Sequence, residues 1–321
     1  MNKCSKLFLL PVLCTLSLCG CTQQTSSDST ADSDFDVSIQ VTESIESTEP
    51  DSVAELSTED VADNEADTTY IPEILQFVDV YGEEYEVEIN PNVPKHTYQP
   101  EFFSRDGELL SYEDDAYTSQ LGIDVSHYQG NIDWNQVKND GYEFAFIRLG
   151  YRGYVTGEIC LDRNFYQNIE NAQSCGMDVG VYFFSQAISE EEAIEEANFV
   201  IQALSEYNLQ LPVVYDPESI LNDESRTDNI SGEQFTKNTI AFCQTIQDAG
   251  FEPMIYCNML WEAYELDLTQ LTDYPIWYAD YESLPQTPYY FTFWQYSETG
   301  TVAGIDAATD LNIRFIPKEE E

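Results

Sequence analysis

Leu211-Pro212-Val213-Val214-Tyr215-Asp216-Pro217-Glu218 is a short apolar run that ends on two carboxylates. Such a run, bounded by polar stretches, reads as a strand buried on both faces, as in a parallel sheet. Before it, Ser189-Glu190-Glu191-Glu192 has the pattern of a capping box and opens a helix to Tyr207. After it, Ser231-Gly232-Glu233-Gln234 opens a second helix that Gly250 closes. The alternation extends both ways. Upstream lie strands at Leu121–Val125, Glu143–Leu149 and Met177–Phe184. Between them fall a helix that Asp133 caps and Gly141 ends, and another from Asp162 to Cys175 with Gly176 behind it. Downstream come Pro253–Cys257, Ile276–Ala279, Phe291–Tyr296 and Asp310–Ile313. Eight strands in about 200 residues, with no dinucleotide-type glycine loop, predict a compact closed α/β barrel rather than an open sheet.

Polar residues at the C-terminal ends of barrel strands build the site in that architecture. Here those positions hold Asp124, Asp216, Glu218 and Asp310. If the strand continues through Asp216, residues two apart share a face. Two carboxyls on one face can be held in different protonation states by mutual repulsion. Hydrolysis of a glycosidic bond needs that division: one acid for the leaving oxygen, one carboxylate for the oxocarbenium-like centre. The plain alternative is a surface pair, since the chain has 60 acidic residues; the apolar run in front is what sets this pair apart.

Tyr182, Trp277 and Trp294 suit either sugar stacking or a plain aromatic core. Arg148 is open to a cleft carboxylate or to an ordinary structural partner. His127 reads as a loop surface residue and Asp133 as a helix cap, while the acidic run Glu190 to Glu196 reads as a solvated helix face. With 60 acidic against 12 basic residues, a net charge of -48 disfavours nucleic acid and anionic membrane as electrostatic partners. Two histidines, His96 and His127, argue against multi-histidine zinc sites, Cys-His peptidases and Ser-His-Asp triads. No metal or cofactor is expected.

Lys3 and Lys6, the apolar run Leu7 to Leu18 and the small residues after it read as an export signal over residues 1–20. Leu18-Cys19-Gly20-Cys21 resembles a bacterial lipobox, which would leave Cys21 carrying lipid; an ordinary signal peptide is the alternative. Residues 21–70 are rich in Ser, Thr, Asp and Glu without Lys or Arg, a composition expected to be a disordered acidic linker. Residues 71–120 read as a small β-rich preface, with a hairpin around Tyr81-Gly82 inside Phe77 to Ile89. Cys160, Cys175, Cys243 and Cys257 are expected as free thiols.

The segment Leu121-Gly122-Ile123-Asp124-Val125-Ser126, followed by Gln129-Gly130 and Ile132-Asp133-Trp134, resembles the opening of glycoside hydrolase family 25. The likeness runs through Phe146-Ile147-Arg148, Asp162, Asn168, Ala172, Gly176 and Val179-Gly180-Val181-Tyr182-Phe183-Phe184-Ser185. It continues through Asp216, Glu218, Ile276-Trp277-Tyr278-Ala279 and Tyr281. Phe293-Trp294-Gln295-Tyr296-Ser297, Gly300, Val302, Gly304-Ile305 and Asp310-Leu311-Asn312 complete it.

The resemblance implies an irregular TIM-like (β/α)5(β)3 barrel over residues 121–317. It implies a lysozyme-type muramidase that cuts the β-1,4 bond from N-acetylmuramic acid to N-acetylglucosamine. Glu218 matches the proton donor and Asp216 the residue that orients the acetamido group or stabilises charge; Asp124 and Asp310 complete an acidic floor. Tyr182, Trp277, Trp294, Gln295 and Arg148 are then the candidate substrate contacts. A covalent and a substrate-assisted route both remain open. Two departures stand out: Pro217 between the carboxylates, tolerable only at a strand end, and Phe183, where a polar residue is frequent and cleft contacts are expected to differ. The partners expected are peptidoglycan glycan strands and, through Cys21, the outer face of a bacterial membrane, with the chain a monomer. Rival readings are a non-catalytic glycan-binding lipoprotein, a hydrolase of another N-acetylhexosamine polymer, and an importer's binding lipoprotein. The last needs two lobes, and the preface is too short to be one.

Overall fold

The computed structural model describes residues 71–79, 82–220 and 223–318, within the second of two units, Met1–Asp67 and Thr68–Glu321. The export signal, Cys21, the acidic linker and Tyr81 lie outside the described residues.

Two antiparallel hairpins come first: β1 (Ile74–Val78) with β2 (Glu84–Glu88), and β3 (Phe103–Asp106) with β4 (Leu109–Tyr112). The first falls where the Phe77 to Ile89 alternation puts it. Then follow β5 (Tyr117–Val125), α1 (Trp134–Asn139), β6 (Phe144–Arg152), β7 (Ile159–Leu161), α2 (Phe165–Ser174) and β8 (Asp178–Ser185). After these come α3 (Glu190–Ala203), β9 (Val213–Pro217), α4 (Gly232–Asp248), β10 (Pro253–Asn258), a π-helical turn Trp261–Glu265, β11 (Ile276–Ala279), β12 (Phe293–Gly300) and β13 (Thr309–Pro317). The first barrel strand starts at Tyr117, ahead of the Leu121 expected, because polar Thr118, Ser119 and Gln120 still pair with Ile316, Phe315 and Arg314 of β13. β7, a short arm antiparallel to β6, carried no sequence signal of its own.

The strands run in the order β5-β13-β12-β11-β10-β9-β8-β6, and β5 pairs with β6, so eight strands close a barrel. From β6 to β12 the neighbours are parallel, as are β5 and β6, whereas β13 is antiparallel to both β12 and β5. The fold is a mixed α/β closed barrel. Helical segments make the crossovers from β5 through to β11, a loop without a helix joins parallel β11 and β12, and β12 turns directly into β13.

Period-two alternation divides the side chains into two cores. Phe144, Phe146, Val214, Met254, Trp277 and Phe293 fill the barrel. Ile147, Val181, Tyr215, Ile255 and Trp294 face the surrounding layer. Inside there is no spare room: a Cβ on Gly122 would strike the Phe144 ring, and one on Gly180 the Phe146 ring.

The alternation corrects several expectations. Phe183 is fully buried on the outer face, its ring 6.2 Å from Phe199, so it makes no cleft contact. Trp294 also points outward, its indole N–H donating to the Asp280 carbonyl at 2.8 Å; it is a core aromatic and no sugar platform. The acidic run of α3 is only partly solvated. Glu196 is buried against Arg152 at 2.7 Å, and Glu192 pairs with Arg226 at 2.7 Å, because residues four apart share the helix's inner face. Each expected capping box is half formed: Ser189 and Ser231 accept their amides, but Glu192 turns instead to the Ile188 N–H. A complete box occurs at Ser126 and Gln129. Asp133 caps α1 as expected.

Tyr98 ties the preface to the barrel, with its ring stacked 3.9 Å from Phe315 and its hydroxyl donating to the Phe291 carbonyl at 2.8 Å. The Gln286 amide both accepts from the Val78 N–H and donates to the Val78 carbonyl, at 2.8 Å each, so one side chain serves β1 as a strand partner would. The four cysteines of the described residues are free thiols.

Candidate active site

β9 delivers the central pair. Val214 and Asp216 face inward while Val213 and Tyr215 face out. Pro217 is the strand's last residue, where its missing N–H costs no ladder bond. Glu218 follows at once, and its carbonyl accepts from Gln186 Nε2 at 2.7 Å, which fixes the turn. The Asp216 and Glu218 carboxyls are hydrogen-bonded to each other. Asp216 is 3% exposed, whereas Glu218 is half-buried. Among the described residues Asp216 Oδ1 has no hydrogen-bond partner although it is buried.

The other two carboxylates face each other on adjacent strands, Asp310 of β13 opposite Asp124 of β5. Asp124 Oδ2 accepts from Gln295 Nε2 and Asn312 Nδ2, both at 2.8 Å. Gln295 Oε1 accepts the hydroxyls of Tyr256 at 2.9 Å and Tyr281 at 3.0 Å. Asn312 Oδ1 accepts the Trp277 indole N–H at 2.8 Å. Each amide is thereby locked in one orientation, with its NH2 group turned to Asp124.

All four carboxyls are pushed above the usual carboxylate range, in each case first by burial, which penalises the charged form. Negative charge on Glu218 adds to the effect at Asp216. Asp124 does the same to Asp310, whose carboxyl is pushed up to about 10. For Asp124 the bonds from Asn312 and Gln295 act the other way. The Asp216–Glu218 pair therefore holds a proton well above the pH at which a free carboxyl loses it.

Gln295 and Tyr182 reach this floor: the Tyr182 hydroxyl feels Asp124, Asp216 and Asp310 together, and its ring packs edge-on 6.0 Å from Trp277. Trp277 is different. It is 1% exposed and stacked 4.5 Å from Phe146, so it supports the floor from below and offers no face to a sugar. Arg148 has a structural partner, with Nε and Nη2 donating to Asp162 Oδ2 at 3.0 and 2.8 Å, while Nη1 stays unspent among the described residues. Asp162 also accepts from the His127 backbone N–H at 3.1 Å and lies 3.0 Å from His127 Nδ1, so His127 is half-buried in an ion cluster rather than a plain surface residue. Tyr256 was missed, although Met254-Tyr256-Asn258 is an inward-facing period-two series.

An acid pair at the end of one strand of a closed barrel, with a second carboxylate pair beside it, is the constellation of a glycoside hydrolase. Residues 123–305 match the model for glycosyl hydrolases family 25, and the chain belongs to that family. It is 26% identical over 192 residues to the autolytic lysozyme of Clostridium acetobutylicum, covering 60% of this chain and 54% of that protein. It is 29% identical over 214 residues to lysozyme M1 of Streptomyces globisporus, covering 60% of this chain and 66% of that one. A family 25 glycosyl hydrolase from Bacillus anthracis superposes with TM-score 0.52 at 26% identity, over 65% of this chain and 94% of its own. The chain thus spans about half the length of the Clostridium relative.

Proposed function

We propose that this protein is a muramidase that hydrolyses the β-1,4 bond between N-acetylmuramic acid and N-acetylglucosamine in peptidoglycan. The observation that carries the reading is the Asp216–Glu218 pair, hydrogen-bonded and proton-holding at the end of β9. Glu218 is the less buried of the two, so it protonates the departing glycosidic oxygen as the bond to the anomeric carbon breaks. Asp216, buried with one unpaired oxygen, accepts the substrate's acetamido N–H or supports the positive centre. Water then attacks the anomeric carbon and its proton returns to the pair. Asp124 and Asp310 keep the floor acidic, and Gln295 and Asn312 hold Asp124 in place.

Two relatives named as lysozymes support the substrate class. Five parallel strands, each followed by a helical segment, and three final strands support reading the barrel as (β/α)5(β)3. Export, lipid on Cys21 and an acidic tether over Thr22–Tyr70 would put a monomeric enzyme on the outer face of the membrane, within reach of the wall; the lipobox-like Leu18-Cys19-Gly20-Cys21 supports this. The test is digestion of purified peptidoglycan with mass analysis of the new reducing ends. Muramic acid at those ends is the expected result; N-acetylglucosamine there, or no new ends, overturns the proposal.

A further inference from the structure

Beside the acid pair the described residues enclose a concavity of about 610 Å³ that none of the four carboxylates lines. It opens at the top of β6 between the Ser126–Gln129 turn and the start of the loop after β9. Its position is fixed by register: Phe184 in its wall lies opposite Asp216 across β8 and β9, and Ile220 comes two residues after Glu218. Anything bound at the acid pair is next to it.

Its chemistry differs from that of the floor. Phe184, Val155 and Ile220 give it apolar walls, and Tyr128 and Tyr151 flank the Arg148 guanidinium at 5.3 Å each. Arg148 spends Nε and Nη2 on Asp162 Oδ2 and His127 Nδ1, which leaves Nη1 as its remaining donor. Tyr128 and Val155 are 73% and 66% exposed, so the mouth of the pocket shows an aromatic ring and an isopropyl group to solvent. The Arg148 guanidinium, paired with Asp162 on one side and framed by tyrosines, keeps Nη1 free to donate, which favours an occupant that carries carbonyl or carboxylate oxygen. The apolar walls favour methyl-bearing groups. A pocket of roughly 300–1,000 Å³ suits a ligand of drug or short-peptide size.

We infer that this pocket binds the lactyl-linked peptide arm of muramic acid, an inference that rests on the muramidase reading. The arm leaves the sugar ring through an ether bearing a methyl group and continues as a short peptide with amide oxygens and an acidic carboxylate. Its methyls meet Val155, Ile220 and Phe184, and Arg148 donates to its oxygens. Recognition of this arm would separate peptidoglycan from N-acetylglucosamine polymers that lack it.

The test uses soluble glycan fragments of one length, with their peptide arms intact or removed by an amidase. The full chain is compared with Tyr128→Ala and Val155→Glu, both at exposed positions that the fold tolerates. The wild type is expected to cleave arm-bearing fragments with kcat/KM about tenfold higher, the equivalent of one good contact. Both variants should lose that preference and cleave stripped fragments at the wild-type rate. A wild type without preference, variants that keep it, or variants equally impaired on both substrates would overturn the inference. A wild type that cleaves neither fragment overturns the muramidase reading instead.

Discussion

At the residue scale, Asp216 and Glu218 illustrate what a sequence discloses and what it withholds. Their spacing, and the apolar strand in front, place both at the mouth of a barrel. What holds their neighbours is invisible locally: the Gln295 amide reaches Asp124 across 171 positions, and Asn312 does so across 188. The same limit governs the tryptophans. Trp277 and Trp294 are equally apolar in composition, and only strand register decides that one supports the floor and the other leaves the barrel altogether. The raised carboxyls make a prediction about stability. A carboxyl whose folded pKa lies above its unfolded value of about 3.9 binds more protons in the folded state. Stability is then full below about pH 4 and falls as pH rises towards the folded value, which for Asp310 is about 10. Asp310→Asn removes that liability. Its melting temperature should exceed the wild type's by a few degrees at pH 7.5, given that about 1 kcal/mol shifts Tm by roughly 2–4 °C in a domain of this size. At pH 4 the two should coincide, and calorimetry at both pH values checks it. Activity should fall on the alkaline side as the Asp216–Glu218 pair loses its proton, with a midpoint in kcat/KM well above 4, the ordinary carboxylate value.

At the element scale, strands and helices were legible because glycines and apolar periodicity punctuate them: Gly141, Gly176 and Gly250 all adopt positive φ just past a helix end. The inner face of α3 was not legible, since a run of glutamates reads as solvent-facing until its partners are known. Arg152 of β6 supplies one partner, holding Glu196 at 2.7 Å in a fully buried site where burial pushes the Glu196 carboxyl up to about 7. Ser185 Oγ donates to Glu196 Oε2 at 2.7 Å, and the Tyr215 hydroxyl lies 2.9 Å from Ser185 Oγ. Removing one side of a buried pair typically costs about 3–5 kcal/mol. Arg152→Leu should therefore lower unfolding free energy by that order in urea at pH 8, and by less near pH 4, where Glu196 takes up a proton. A pH-independent loss would mean that packing, rather than the stranded carboxylate, carries the effect.

At the scale of the whole molecule, the closed barrel follows from alternating units that the sequence spells out, but the seat of the preface does not. Tyr98 on Phe315 and Gln286 on Val78 join segments far apart in sequence, with no local pattern to announce them. The export and anchoring proposal makes its own prediction: Cys21→Ser should shift the protein from the membrane fraction to the medium, or block its processing. Wild-type levels of salt-resistant membrane retention in that variant would contradict it. The central claim concerns the chemistry of the β9 pair, and one comparison reaches it directly. Glu218→Gln keeps the shape of the side chain and much of its hydrogen bonding, but has no proton to give. Measured as new reducing ends released from peptidoglycan by protein of unchanged fold, its rate should drop by at least about 10²–10⁴-fold, the usual worth of general acid catalysis. A Glu218→Gln protein that releases those ends within a few-fold of the wild-type rate would contradict the account.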